Sequence, residues 1–73
     1  EIDPDDPDPL INKGRLLDDA GRHEEAIGLY DRALAMGDDL VAWSNRGNSL
    51  KALGRYAEAL ASYAEALRID GKD

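Results

Sequence analysis

Apolar residues recur along the chain at the three- and four-residue spacing of amphipathic helices. In the first half they are Leu10, Leu17, Ala20, Ala26, Ile27, Tyr30, Ala33 and Leu34. The pattern is interrupted at Ala20-Gly21-Arg22 and Leu53-Gly54-Arg55, and glycine suits the left-handed residue that ends a helix. We therefore predict helices near residues 8–20, 23–36, 40–53 and 56–69, and the short connections make neighbouring helices antiparallel.

The second half of the chain repeats the first with a shift of 33 residues. Residues 7–39 and 40–72 share ten identical positions. The identical pairs are Asn12/Asn45, Gly14/Gly47, Leu17/Leu50, Gly21/Gly54, Arg22/Arg55, Glu25/Glu58, Ala26/Ala59, Tyr30/Tyr63, Ala33/Ala66 and Leu34/Leu67. A period of this length is typical of stacked supersecondary units. The pattern predicts an all-α chain with one helical hairpin in 7–39 and another in 40–73. Residues 1–6 are predicted to be the tail of a preceding unit, because Ile2-Asp3-Pro4 lies 34 residues before Met36-Gly37-Asp38.

Each unit carries one motif of large and small residues. The second unit reads Trp43-x2-Arg46-Gly47-x2-Leu50, Ala59-x3-Tyr63 and Ala66-Leu67, and the first reads Leu10-x2-Lys13-Gly14-x2-Leu17, Ala26-x3-Tyr30 and Ala33-Leu34. This motif resembles the tetratricopeptide pattern W-x2-L-G-x2-Y…A-x3-F…P. The chain departs from the pattern at Lys13 and Arg46, where Leu is preferred, and at Asp38 and Gly71, where the closing Pro is preferred. The resemblance implies two antiparallel helix-turn-helix hairpins stacked as an α-solenoid, a fragment of a right-handed superhelix.

The alternation of small and large residues predicts how the hairpins pack. Gly14 and Gly47 allow the second helix of each hairpin to press Ala26 or Ala59 against the first. Tyr30 and Tyr63 then fill the wider end of each hairpin, and Ala33 and Ala66 let the next hairpin approach. Trp43 is expected to pack against helix 23–36 across the interface, so that Trp43→Ala costs ~3–5 kcal/mol.

The resemblance also implies a concave groove lined by the first helix of each hairpin. It assigns ligand-contacting roles to Asn12, Arg15, Asn45 and Asn48, and it places Ser44 in the same groove. An Asn side chain both donates and accepts hydrogen bonds, so it can pair with the main chain of an extended peptide. The alternative is that Asn12 and Asn45 are exposed polar positions or bridge neighbouring helices.

The net charge of −7 is concentrated at the N-terminus, because five of the sixteen acidic residues lie in the first nine positions. An acidic chain without a basic footprint argues against nucleic-acid binding. Helix 40–53, however, carries Arg46 and Lys51 and no acid. This distribution predicts an inner wall more basic than the outer one, favouring an acidic partner segment; the alternative is that these are solvated surface charges.

The chain offers little catalytic or metal-binding chemistry. It has no Cys and one His, so no thiolate zinc site or nucleophile relay is predicted, nor any cofactor, and we expect no enzyme activity. His23 is expected to be structural and half-buried at the start of a packing helix. The acidic run 3–9 lacks the Gly and terminal Glu of a calcium loop and is predicted to be a turn. No apolar run approaches the ~18 residues of a membrane span, and the lack of Cys fits a cytosolic protein.

Two functions remain open from the sequence. The first is a protein-interaction scaffold that binds a partner peptide or helix in the groove. The second is a self-assembly module, in which the uncapped last helix, ending near Ile69, meets the start of another copy. Either way, we expect the chain to be a segment of a longer array.

Overall fold

The computed structural model describes residues 8–71, which form four helices. They are α1 (Asp8–Asp19), α2 (His23–Leu34), α3 (Leu40–Ala52) and α4 (Tyr56–Asp70). α1 packs against α2, α2 against α3 and α3 against α4, which confirms the predicted all-α fold of two hairpins. Across the described range, no helix is long and apolar enough to cross a membrane. The predictions for residues 1–6 and for the acidic turn before Asp8 lie outside the described residues.

Glycine ends the first helix of each hairpin, as predicted. Gly21 and Gly54 have φ angles of 83° and 79°, a left-handed conformation that a Cβ atom disfavours. The Arg22 amide donates to the Leu17 carbonyl at 2.8 Å, and the Gly21 amide donates to the Asp18 carbonyl at 2.9 Å. The second hairpin repeats both bonds. These bonds satisfy carbonyl groups that the end of a helix leaves without partners.

An arginine–glutamate pair fixes the first turn of each second helix. Arg55 Nε and Nη2 donate to the two carboxylate oxygens of Glu58 at 2.6 and 2.9 Å, and Arg22 makes the same paired contact with Glu25. The hydrogen bonds from the guanidinium lower the pKa of both carboxyl groups. Acidic side chains at this end of a helix also interact favourably with the helix dipole.

The buried residues form two clusters that span the hairpins. The first joins Ile11 of α1 and Ala42 of α3 to three buried residues of α2, Ala26, Tyr30 and Ala33. The second joins Ile27, Leu50 and Ala59. Since each cluster includes residues from both hairpins, burial of apolar surface holds the hairpins together as well as closing each one.

The tyrosine rings, and not the alanines, are the groups that lie nearest the two packing glycines. A Cβ atom added at Gly14 would lie 2.6 Å from Cε1 of Tyr30, and one at Gly47 would lie 2.6 Å from Cε1 of Tyr63. The three nearest atoms belong to the tyrosine in both cases. The predicted close approach at glycine is therefore present, but Ala26 and Ala59 are not the residues that require it.

The packing of Trp43 across the interface against α2 stays a prediction, because the contacts described for Trp43 are with Asp38 and Arg46. Trp43 is half-buried and belongs to neither core cluster. Its indole Nε1 donates to Asp38 at 3.4 Å, and the Arg46 guanidinium carbon lies 5.8 Å from the ring centroid. Neighbouring residues of a helix point about 100° apart, and it is Ala42 that enters the buried cluster.

Candidate functional site

A cleft of about 340 Å³ opens between α1, α2 and α3. Its lining combines side chains from all three helices: Arg15, Asp18, Asp19, His23, Tyr30, Asn45 and Asn48. Three of the five residues predicted to line the groove, Arg15, Asn45 and Asn48, therefore meet in one place.

The other two predicted groove residues lie elsewhere. Asn12 is exposed and precedes Arg15 by three residues, which places it on the same side of α1 but outside the cleft. Ser44 lines a separate depression between α3 and α4, with Leu40, Tyr63 and Leu67. The structure therefore does not bring Ser44 to the cleft.

The carboxylate of Asp18 connects the three helices at the wall of the cleft. The Tyr30 hydroxyl donates to Asp18 Oδ2 at 2.7 Å, and the Ser49 hydroxyl lies 2.6 Å from both carboxylate oxygens. His23 Nδ1 lies 2.9 Å from Asp18 Oδ1. Asp18 sits in the last turn of α1, next to the Gly21 turn that leads into α2. The turn thus brings His23 back to it, while α3 presents Ser49 from the second hairpin.

These contacts do not form the relay of a serine hydrolase, although the residue types are the same. In such a relay the serine hydroxyl donates to the imidazole, and the carboxylate orients the imidazole from its other side. Here the Ser49 hydroxyl donates to Asp18 itself. The predicted structural role of half-buried His23 fits this arrangement, in which its ring is one of three groups around one carboxylate.

Burial and the Asp18 carboxylate hold the Tyr30 hydroxyl in its neutral form. Tyr30 has no exposed surface. Burial raises the pKa of Tyr30 above its ordinary value, and the hydrogen bond to negatively charged Asp18 raises it further. Ionising the phenol would place two negative charges within 2.7 Å of each other, so Tyr30 acts as a fixed donor beneath the cleft.

Asn45 is the least satisfied residue of the cleft. Its Nδ2 atom is covered and has no hydrogen-bond acceptor within the described part of the chain. Most buried amide groups have a partner, so an unpaired one requires an explanation. One helical turn away, Asn48 is exposed and accepts a hydrogen bond from the Tyr63 hydroxyl at 2.5 Å. The cleft thus presents one amide without an acceptor and a second amide held in place by α4.

Comparison with known proteins assigns the two hairpins to one family. The family model described as tetratricopeptide repeat matches residues 41–73, and a second model of the same description matches residues 10–40. The chain belongs to the tetratricopeptide repeat family. Repeats of this family are generally protein–protein interaction modules. No curated protein and no solved structure matches the chain.

The inner wall of these tetratricopeptide repeats is less basic than the sequence predicted. Arg46 Nε donates to Asp31 of α2 at 2.7 Å, and Arg46 Nη1 donates to the Ser62 hydroxyl of α4 at 2.6 Å. Arg46 therefore ties α2, α3 and α4 together and is not an uncompensated cation of the groove. The cleft itself carries Asp18 and Asp19 beside Arg15. The expectation of a basic wall for an acidic partner counted charges along the helix without their partners, and it stays a prediction.

Asp18 and Asp19 both line the cleft, although neither was predicted as a site residue. The signal that marks Asp18 is a difference between the tetratricopeptide copies, because Asp18 is matched by Lys51 and Ser49 by Leu16. These two differences meet in space as a hydrogen bond between the hairpins. The differences mark the two positions, but the contact between them depends on how the hairpins pack.

Proposed function

We propose that the chain is a scaffold module that binds an extended partner peptide in the cleft between the first helices of its two repeats, α1 and α3. The observation that carries the proposal is the unpaired Nδ2 of Asn45 in the cleft wall. A main-chain carbonyl that displaces the side chains at the mouth of the cleft would supply the missing acceptor. The hydrogen bond that Asn45 lacks in the free chain would then form in the complex and contribute to the binding free energy.

The exposed side chains at the mouth of the cleft suit a peptide main chain. Asn48 offers an amide whose oxygen is already held by Tyr63. Arg15 is exposed and makes no salt bridge with residues 8–71, so it remains available to peptide carbonyls. Asn12, three residues earlier on α1, would extend the contact along that helix. Groups of this kind bind the backbone of many sequences without selecting one.

The charges of the cleft do not favour an acidic partner. Asp19 is exposed beside Asp18, and Arg46 is paired with Asp31. We therefore infer recognition through the peptide backbone, with the hairpin units 7–39 and 40–73 each supplying one wall.

Selection from a displayed library of random peptides, followed by fluorescence anisotropy of the selected peptide, tests this proposal. Asn45→Ala is expected to weaken binding about 3- to 10-fold, as expected for the loss of one hydrogen bond. The same change should leave the free energy of unfolding unchanged or raise it, because it removes a buried donor that has no acceptor. Lys51→Ala, on an exposed residue of α3 outside the cleft lining, is the matched control. Equal binding by Asn45→Ala and Lys51→Ala would sink the site assignment.

A second function, self-association through a terminal helix, is supported by a different observation. The last helix exposes three large side chains, with Tyr56, Leu60 and Leu67 at 64%, 69% and 68% of full exposure. Exposed apolar groups gathered on one helix favour association. Sedimentation velocity across a concentration series tests this function: concentration-dependent dimers or oligomers support it, and a monomer at millimolar concentration removes it.

A further inference from the structure

One side of α4 is apolar and open along most of its length. Six residues at helical spacing share this side, and all of them are exposed: Tyr56, Ala57, Leu60, Ala61, Ala64 and Leu67. We call these residues the open face. It contains no charged residue, so covering it requires no charge to be desolvated.

In the first repeat two of the corresponding residues of α2 are covered, while Glu24, Gly28 and Asp31, which match Ala57, Ala61 and Ala64, stay exposed. Ile27, which matches Leu60, retains 9% of its exposure beneath the second hairpin, whereas Leu60 retains 69%. Leu34, which matches Leu67, packs against a core cluster. This part of the helix is thus suited to burial by another helix, as in the contact between α2 and α3.

A second copy cannot reproduce the α2–α3 contact by placing its α1 on α4. Two polar interactions join the hairpins at that contact, one between Arg46 and Asp31 of α2 and one between Ser49 and Asp18 of α1. At the corresponding positions α4 has Ala64 instead of Asp31, and α3 has Lys51 instead of Asp18. The incoming α1 would present Lys13 opposite Ala64 and Leu16 near Lys51. Lys13 would be covered without an acidic partner, which is costly.

The open face is instead complementary to itself. Antiparallel pairing of two α4 helices about a two-fold axis at Ser62 brings Leu60 level with Ala64 of the second copy. The same axis brings Leu67 level with Ala57 of the second copy. At each of these levels a leucine of one copy faces an alanine of the other. This is the alternation of large and small residues that closely packed helices need.

We propose that the open face docks on the open face of a second copy, antiparallel and about a two-fold axis near Ser62. This inference rests on the second proposed function, self-association, and specifies its geometry. A two-fold contact uses the same patch on both copies and closes at a dimer, whereas end-to-end stacking continues into longer oligomers.

Two charge substitutions at equally exposed leucines test the geometry. Leu60 and Leu16 are both 69% exposed, but only Leu60 belongs to the open face, while Leu16 belongs to the side of α1 that end-to-end stacking would use. Leu60→Lys is expected to abolish the dimer seen in sedimentation velocity, and Leu16→Lys, which end-to-end stacking would place beside Lys51, to retain it, with helical circular dichroism unchanged in both. Loss of association in both variants would establish end-to-end stacking and overturn the two-fold geometry while self-association stands. A wild-type chain that stays monomeric at millimolar concentration would overturn both.

Cross-linking reports the two-fold axis directly, since the chain has no cysteine of its own. Ala61 lies one residue from the proposed axis, so Ala61→Cys in two copies should be joined by a short bis-maleimide into a covalent dimer and no larger product. Ala52→Cys, at an exposed site at the end of α3, is the control and should remain monomeric. Equal yields from the two variants would contradict the proposed axis.

Discussion

The contact between glycine and tyrosine predicts different outcomes for one substitution made in the two repeats. A methyl group at Gly14 would meet three ring atoms of Tyr30 at 2.6, 3.0 and 3.1 Å, all shorter than an ordinary carbon–carbon contact. Tyr30 is fully buried, and its hydroxyl is bound to Asp18, so the ring has little room to move. At Gly47 the methyl group would meet Tyr63 just as closely. Tyr63 is half-buried and its hydroxyl is bound to the exposed side chain of Asn48, so its ring can move outward together with that partner.

The expected magnitudes follow from two opposing terms. Overpacking a core costs about 1–3 kcal/mol, and replacing Gly by Ala inside a helix contributes about 1 kcal/mol in return. Because the buried Tyr30 ring has little room to move, the upper half of the overpacking range applies, and Gly14→Ala is expected to lower the free energy of unfolding by about 1–2 kcal/mol. Gly47→Ala should change it by less than about 0.5 kcal/mol.

Urea unfolding followed by circular dichroism measures both variants under the same conditions. For a chain of this size the Gly14→Ala loss corresponds to a melting temperature about 4–15 °C lower. Adding Tyr30→Leu to Gly14→Ala should cost less than it does in the wild type, because the smaller side chain relieves the clash. The reasoning is refuted if Gly14→Ala is as stable as the wild type, or if the two glycine variants lose equal stability.

Three further predictions concern the polar contacts of the first repeat and Trp43. Asp18→Ala should destabilise the chain by about 2–4 kcal/mol in urea unfolding, because it leaves the Tyr30 and Ser49 hydroxyls without their acceptor; an effect no larger than that of Lys51→Ala would contradict this. The raised pKa of Tyr30 means that the folded chain holds this proton more tightly than the unfolded chain, in which tyrosine ionises near pH 10. The contribution of Tyr30 to the free energy of unfolding is therefore fully present below that pH and is lost as the pH rises above it. Tyr30→Phe should reduce the accompanying fall in the urea midpoint. Trp43→Ala should cost about 1–2 kcal/mol, the loss of a half-buried ring and a cation–π contact, and a loss above 3 kcal/mol would restore the core role.

The features that repeat in the chain were predictable from sequence, and those that differ between the copies were not. Gly21 and Gly54 end helices because a left-handed residue is needed at that point, and the three- and four-residue spacing of apolar residues fixes the buried side of each helix. These requirements are local, so they can be inferred from the sequence directly. Asp18 and Ser49, in contrast, are 31 residues apart and gain their role only where the hairpins meet.

Trp43 and Arg46 illustrate the same limit from the other direction. Both were interpreted from residue type, the aromatic as a residue that packs across the hairpin interface and the cation as part of a basic inner wall. The helix rotation that buries Ala42 leaves the indole half-exposed, and Asp31 takes up the charge of Arg46. A single helix pattern fixes neither outcome, because each depends on the angle and offset between two packed helices.

The side-chain amides of Asn45 and Asn48 provide the most direct test of the peptide cleft. In nitrogen-15 NMR spectra of the labelled chain, the Nδ2 resonances of both residues can be followed while a library-selected peptide is added. The proposed function predicts the largest shifts at Asn45 and Asn48, with backbone shifts at Arg15 and little change along the open face of α4. Shifts confined to Leu60, Ala64 and Leu67, with both amides unmoved, would contradict it and would show that the peptide binds the open face of α4 instead of the cleft.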